Sequence, residues 1–210
     1  MIKTIFFDFD GVLTTDKSGS YTTCKYLQSL TPHISFEHVL SCYRDHHSEM
    51  LVGRTTHRDT WQTFCDCVGV NWELGLLDEA FRQTPGNKKV FQLCKVLQPS
   101  YSLGIITDNS SERFKAIKDE MKLADLFDYF VVSGDIGTRK DNEANFNYAL
   151  DLARAKPEEC IFIDNNRDNL VVPAKMGFRT IFHDDAQNDV ARLVEKMERF
   201  GAAIDYVVNS

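Results

Sequence analysis

The sequence predicts an α/β fold, a doubly wound parallel sheet with one inserted α-helical segment, and three observations carry that expectation. Five short apolar runs each end in a polar residue: Ile5–Phe7 before Asp8, Leu103–Ile106 before Thr107, Phe130–Val132 before Ser133, Ile161–Ile163 before Asp164, and Thr180–Phe182 before His183. Runs that are apolar throughout suit strands covered on both faces. Helical patterns lie between them, as in Phe146, Ala149, Leu150 and Ala153, which fall at i, i+3, i+4 and i+7. The spacing is uneven, however. The last three intervals suit single strand–helix–strand units, but the first, from Ile5 to Leu103, carries roughly 65 to 70 surplus residues on that standard.

Taken in order, the first run feeds directly into Asp8-Phe9-Asp10-Gly11. Strand residues at i and i+2 project to one side, so the two carboxylates share a face at the strand's carboxyl end. Repulsion between them calls for a cation, and Gly11 permits a sharp turn close to a ligand. A polar β-turn with Asp at its mouth is the plainer alternative. The surplus, residues 16–85, reads as mostly helical. Ser35 can cap a helix carrying Val39, Leu40, Tyr43 and His47, and Thr56 one carrying Thr60, Trp61, Phe64 and Val68. Gly69 would end the second, and Asn71 could start a third through Leu74, Leu77 and Phe81. The domains expected are therefore a core of residues 1–15 and 86–210 and a helical insertion of 16–85.

Beyond the insertion, Leu103–Ile106 delivers Thr107, Asp108 and Asn109 to a strand end, with Ser110 able to cap the helix that follows. Gly137-Thr138-Arg139-Lys140 precedes the Phe146 helix, and Ile161–Ile163 delivers Asp164-Asn165, with Asp168 able to cap a helix through Leu170 and Val171. Open parallel sheets bind ligands at the carboxyl ends of their strands, where these residues sit.

Bulk properties narrow the choice. The chain has 210 residues, 43% of them hydrophobic and 26% charged, enough for one core and an accessory unit. A net charge of −7 argues against broad adhesion to nucleic acid or membranes, and no apolar stretch is long enough to span a bilayer. Met1 runs almost at once into a strand, so no leader and a cytoplasmic location are expected. The six cysteines fit neither a zinc site nor a compact disulfide framework and are expected to be buried thiols. His33, His38, His46, His47 and His57 lie in the insertion without a second cluster of acids or cysteines at metal spacing, and read as polar residues of that insertion. Arg44, Arg54 and Arg58 could reach a substrate from there, with a solvated helical face as the default.

Four segments, in order, resemble the motifs of the haloacid dehalogenase-like (HAD) superfamily: Asp8–Thr14, Leu103–Thr107, Gly137–Lys140 and Cys160–Asn169. The resemblance implies a Mg²⁺-dependent phosphotransferase with a helical C1 cap inserted after the first motif. It assigns Asp8 as nucleophile, Asp10 as general acid and base, and Thr107 and Lys140 as phosphoryl-binding groups. Backbone N–H groups of Asp108 and Asn109 would assist. Mg²⁺ would be held by Asp8, the Asp10 carbonyl and a residue of the last motif. There the chain departs from the common pair of acids: Asn165 occupies the usual ligand position, with Asp164 and Asp168 as alternatives. Asp108 and Asp141 are further departures, and Asp108 is expected to turn away from phosphate or to engage a cationic group of the substrate.

The expected activity is Mg²⁺-dependent hydrolysis of a small phosphomonoester, for example a sugar phosphate, through an aspartyl-phosphate. The expected partner is a small phosphorylated metabolite, with no nucleic acid and no membrane. A β-phosphoglucomutase-like mutase is the nearest rival, although the family's His soon after the first motif is absent from Asp16–Tyr21. A metal-independent dehalogenase would lack Asp10. A non-catalytic phosphate- or partner-binding module is the alternative from another class, supported by Asn165 and Asp108.

Overall fold

A computed structural model of the chain describes residues 1–205. Five strands form one parallel sheet in the order β3-β2-β1-β4-β5: β1 (Thr4–Phe7), β2 (Ser102–Thr107), β3 (Tyr129–Val132), β4 (Cys160–Asp164) and β5 (Arg179–Phe182). All five apolar runs are strands. The central strand β1 pairs with β2 from Thr4↔Ser102 to Phe7↔Ile105 and with β4 from Thr4↔Cys160 to Phe7↔Ile163. That register brings Asp8, Thr107 and Asp164 to the same edge of the sheet.

Alternation within the strands splits the core into two layers. Ile5, Phe7, Leu103, Ile105, Ile161 and Ile163 pack with α6 (Lys88–Leu97), α7 (Ser111–Glu120) and α11 (Val190–Arg199). Phe6, Ile106, Val131 and Phe162 face the other way, against α9 (Glu143–Ala153) and α10 (Val171–Met176), while the short α8 (Ser133–Ile136) follows β3. Gly104 is required here because the Phe6 ring lies across it, 2.6 Å from where a Cβ would stand. In α9 the apolar stripe is as expected, with Phe146 and Ala149 buried and Leu150 and Ala153 packed beside them.

Before α6, which leads into β2, the insertion after β1 folds as five helices: α1 (Gly19–Ser29), α2 (Phe36–Arg44), α3 (His47–Met50), α4 (His57–Val68) and α5 (Gly75–Arg82). Ser35 caps α2 by accepting from the His38 N–H, although α2 stops at Arg44 and His47 begins α3. Thr56 caps α4 in a reciprocal box with Asp59, and Gly69 ends it in the left-handed conformation. Asn71 caps nothing, since α5 begins only at Gly75. Trp61, Phe64, Cys65 and Phe81 bury the inner faces, and the Trp61 indole donates to the Trp72 carbonyl at 2.9 Å. The chain leaves and re-enters the sheet side by side. The Thr15 N–H donates to the Pro85 carbonyl at 3.1 Å, and the Asn87 N–H to the Leu13 carbonyl at 2.8 Å.

Two expectations need correction. Cys42 on α2 and Cys67 on α4 form a disulfide, with Cα atoms 5.9 Å apart, while Cys24, Cys65, Cys94 and Cys160 are buried thiols. The pairing follows from two helices lying face to face, which cysteine spacing along the chain does not reveal. It removes the all-thiol support for a cytoplasmic location. Asp168 does not cap a helix. It is exposed in a short turn, Asp168–Leu170, and the side chain that accepts a backbone N–H there is Asn166, from Asp168 at 3.1 Å. Among the described residues no helix is long and apolar enough to cross a membrane.

Candidate active site

β1 ends at Phe7, and the chain then makes an irregular turn through Phe9–Leu13, closed by the Thr14 N–H on the Phe9 carbonyl at 3.1 Å. Gly11 sits at φ +84°, and a Cβ there would fall 2.1 Å from the Asn165 side-chain nitrogen. Both the left-handed backbone and the close approach demand glycine. The turn lets Asp8 and Asp10 face a cavity of about 230 Å³ that lies between the strand ends and the helical insertion and opens to solvent. Thr107, Asp108, Asn109, Lys140 and Asn165 line the same cavity, so the four separated segments converge.

Lys140 is the electrostatic centre. It is only 2% exposed, and its Nζ lies 2.8 Å from Asp8 Oδ1 and 2.7 Å from Asp164 Oδ2. Burial alone would lower its pKa, but Asp8, Asp164 and Asp108 outweigh that and raise it, so the ammonium stays charged. One cation thus serves two buried carboxylates. Burial, then the Asp164 charge, hold the Asp8 carboxyl well above its ordinary range, with Lys140 pulling the other way. A further positive charge at Asp8 would relieve that deficit.

The oxygen donors suit a hard divalent cation in part. Asp8 Oδ1 accepts from the Phe9 N–H at 2.7 Å and meets Lys140, while neither Asp8 Oδ2 nor the Asn165 carboxamide has a hydrogen-bond partner among the described residues. No three His, Cys, Asp or Glu side chains converge as a cage among those residues. A Mg²⁺ ion, which retains waters and needs few protein oxygens, fits such a mixed, weakly charged set. Asp164 does not line the cavity. It is fully buried, and it accepts from Lys140, from the Asn166 N–H at 2.7 Å and from the Asn169 amide at 3.1 and 3.2 Å.

Thr107 is buried at the end of β2. Asp108 turns onto the neighbouring loop, accepting from the Lys140 N–H at 3.0 Å and from Arg139 Nε at 3.3 Å, so its charge is met within the protein. The loop keeps its tight turn without a proline at Asp141, because the Asn142 N–H donates to the Arg139 carbonyl at 3.0 Å. Asn109 departs from expectation. Its N–H donates to Ser133 Oγ at 3.0 Å, and its amide donates to Asp10 Oδ2 at 3.2 Å. Ser110 caps α7 by accepting from the Arg113 N–H at 3.4 Å.

Arg113 is the residue that sequence reading misses. Its Nη1 and Nη2 each donate to one Asp10 oxygen at 2.8 Å, a two-pronged pair that holds Asp10 in place. A legible signal existed: Arg113 lies four residues before Ile117 and beside Phe114, a charge in the buried stripe of α7. His57 is the second. It is buried, and its backbone N–H donates to Glu112 Oε2 at 2.6 Å. Ring Nδ1 lies 3.2 Å from the same oxygen, and Nε2 lies 2.8 Å from the Tyr43 hydroxyl. With Nδ1–H donating to Glu112, Nε2 accepts from Tyr43. The hydrogen bond from His57 holds the Glu112 carboxyl below its ordinary range. Arg44, Arg54 and Arg58 are exposed and do not line the cavity, whereas His47 and His57 do.

Comparison with known proteins agrees with this geometry. The family model described as haloacid dehalogenase-like hydrolase matches residues 5–182, and the chain belongs to that family. A curated relative, glyceraldehyde 3-phosphate phosphatase of Pyrococcus abyssi, is 25% identical over 200 residues, covering 87% of this chain and 81% of its own. A HAD family enzyme from Bacteroides thetaiotaomicron, solved as a magnesium complex, superposes with a TM-score of 0.74 at 19% identity, covering 92% of this chain and 98% of that one. The same enzyme with magnesium and inorganic phosphate gives 0.70 at 18% identity, with 92% and 99% covered.

Proposed function

We propose that this hydrolase is a Mg²⁺-dependent phosphatase of small phosphomonoesters that works through an aspartyl-phosphate on Asp8. The observation that carries the reading is the buried Asp8–Lys140–Asp164 arrangement beside a cavity bounded on one side by the helical insertion. Uncatalysed monoester hydrolysis is among the slowest reactions known, so charge must be cancelled and the reactants aligned. Asp8 Oδ2, free of hydrogen bonds, attacks phosphorus. Lys140, the Thr107 hydroxyl and the Asp108 N–H hold the phosphoryl oxygens. Asp10 protonates the leaving oxygen and then draws a proton from the water that opens the aspartyl-phosphate.

Mg²⁺ bound by Asp8, the Asp10 carbonyl and Asn165 would supply the missing positive charge and neutralise the phosphate oxygens. Asp164 then acts through Lys140 rather than on the metal. Residues 16–85 serve as a cap that keeps bulky phosphoproteins out while admitting small phosphoesters and water. The Pyrococcus relative's name and the magnesium and phosphate complexes of the Bacteroides enzyme support this reading.

A Mg²⁺ titration of p-nitrophenyl phosphate turnover tests it. Wild type is expected to require Mg²⁺. Asn165→Asp adds a negative charge beside a divalent ion, worth about 1–2 kcal/mol after screening, so half-maximal activity should need roughly tenfold less Mg²⁺. An unchanged requirement would remove Asn165 from the metal site. Absence of turnover in every form, at any Mg²⁺ concentration, would overturn the phosphatase reading in favour of a binding module.

A further inference from the structure

A second cavity, of about 310 Å³, lies at the carboxyl ends of β4 and β5 and shares no lining residue with the candidate active site. Arg167, from the loop after β4, and Arg192 and Lys196, from α11, line it. Phe182, the last residue of β5, meets two of them. The Arg167 guanidinium stacks 3.8 Å over its ring, and Lys196 Nζ donates to its carbonyl at 2.6 Å. Arg192 lies one turn before Lys196 on the same face of α11. Both arginines are exposed and Lys196 is half-buried, so all three can meet a ligand from solvent. None of the three makes an ion pair among the described residues. The acids lining the cavity are engaged with backbone instead. Asp184 Oδ1 accepts from the Ala186 and Gln187 N–H groups at 3.1 and 3.3 Å, and Asp189 Oδ1 caps α11 by accepting from the Arg192 N–H at 3.0 Å. Burial, then Arg192 and Arg167, hold the Lys196 pKa below its ordinary value, ahead of the opposing pull of Asp184 and Asp189.

Three cations gathered without paired counter-charges repel one another, and an anion between them removes that cost. On a chain of net charge −7 they are not a by-product of overall composition. Their place at the carboxyl edge of a parallel sheet is also where such sheets bind ligands. We propose that Arg167, Arg192 and Lys196 form a second anion site, for a tetrahedral dianion of the phosphate type, either free or as the phosphoryl end of a larger molecule. The donors select that shape. Stacking occupies a face of the Arg167 guanidinium and leaves its in-plane N–H groups free. Lys196 spends one ammonium proton on Phe182 and keeps two. A phosphoryl group offers three oxygens to three cations, where a carboxylate offers two in one plane. The site stands apart from the chemistry on Asp8 and does not rest on it.

The test is an amide NMR titration of the isotope-labelled chain with inorganic phosphate, at fixed ionic strength in Mg²⁺-free, mildly alkaline buffer. The amide signals of Asp184, Arg192 and Lys196 report this cavity, and those of Asp8 and Thr107 report the other, so the two are read separately whatever becomes of the phosphatase reading. Saturable shifts are expected in the first set. Arg192→Glu should weaken that affinity by roughly 10- to 100-fold, the range for hydrogen bonds to a charged group, and Lys196→Gln should weaken it in the same direction. Arg192→Lys keeps the charge and should cost only a few fold. Phenylphosphonate, which has no ester bond to hydrolyse, separates the two sources. Binding as tight as that of phosphate assigns the phosphoryl end of a larger molecule, and binding of phosphate alone assigns the free ion. Shifts reproduced by chloride, or by acetate with equal affinity, would overturn the proposal. So would an unchanged affinity in Arg192→Glu, or no saturation with either phosphate or phenylphosphonate.

Discussion

Asp8→Asn is expected to leave a folded protein with turnover reduced by roughly 10⁴-fold or more, in line with removal of other catalytic nucleophiles. The substitution hardly changes size and keeps an oxygen that can accept the Phe9 N–H, now made to Asp8 at 2.7 Å. It removes the charge and the proposed nucleophile together. It also leaves Lys140 paired with Asp164 at 2.7 Å, so the ammonium is not stranded. Stability should therefore hold while chemistry is lost, as read by a denaturation curve and a turnover assay on the same sample. Activity within tenfold of wild type would sink the covalent mechanism.

Lys140→Met carries the largest expected effect on stability. The ammonium is the shared cation of Asp8, 6% exposed, and Asp164, 0% exposed. Removing one partner of a buried ionic group costs about 3–5 kcal/mol, because the remaining charge is left uncompensated. The loss should depend on pH with a definite sign. Burial and Asp164 already hold Asp8 above its ordinary value of 3.8, and deleting the cation raises it further. The native state then binds more protons than the unfolded chain above that value, so stability falls as pH rises. Chemical denaturation in Mg²⁺-free buffer at acidic and neutral pH should show the smaller deficit in acid. A loss below about 1 kcal/mol, flat with pH, would show that Lys140 is not the charge centre, since that is the size of a surface pair.

Much of this candidate site is legible in the sequence, for a reason rooted in the sheet. Parallel strands deliver whatever follows them to one edge, so Asp8, Thr107 and Asp164 could be brought together from their runs alone. Lys140 could not be placed that way, and its position came from the resemblance to the HAD motifs. What sequence left dark depends on direction and pairing. Asp164 and Asn165 are adjacent, yet one turns inward to Lys140 and the other faces the cavity, a difference decided by backbone direction at the end of β4. Arg113 was hidden because an Arg near a helix start usually faces solvent. Only its place in the stripe with Phe114 and Ile117 marked it. The Cys42–Cys67 bond and the Tyr43–His57–Glu112 chain arise between helices distant in sequence, where no period or spacing speaks.

The most direct measurement is the location of the phosphoryl group during turnover. Wild-type protein mixed with a phosphomonoester and Mg²⁺, quenched in acid within one turnover and digested, is analysed by mass spectrometry. The expected result is one phosphoryl group on the peptide containing Asp8, absent from Asp8→Asn and lost on longer incubation. Steady hydrolysis with that peptide unlabelled at every time point, and with Asp8→Asn still active, would contradict an aspartyl-phosphate on Asp8.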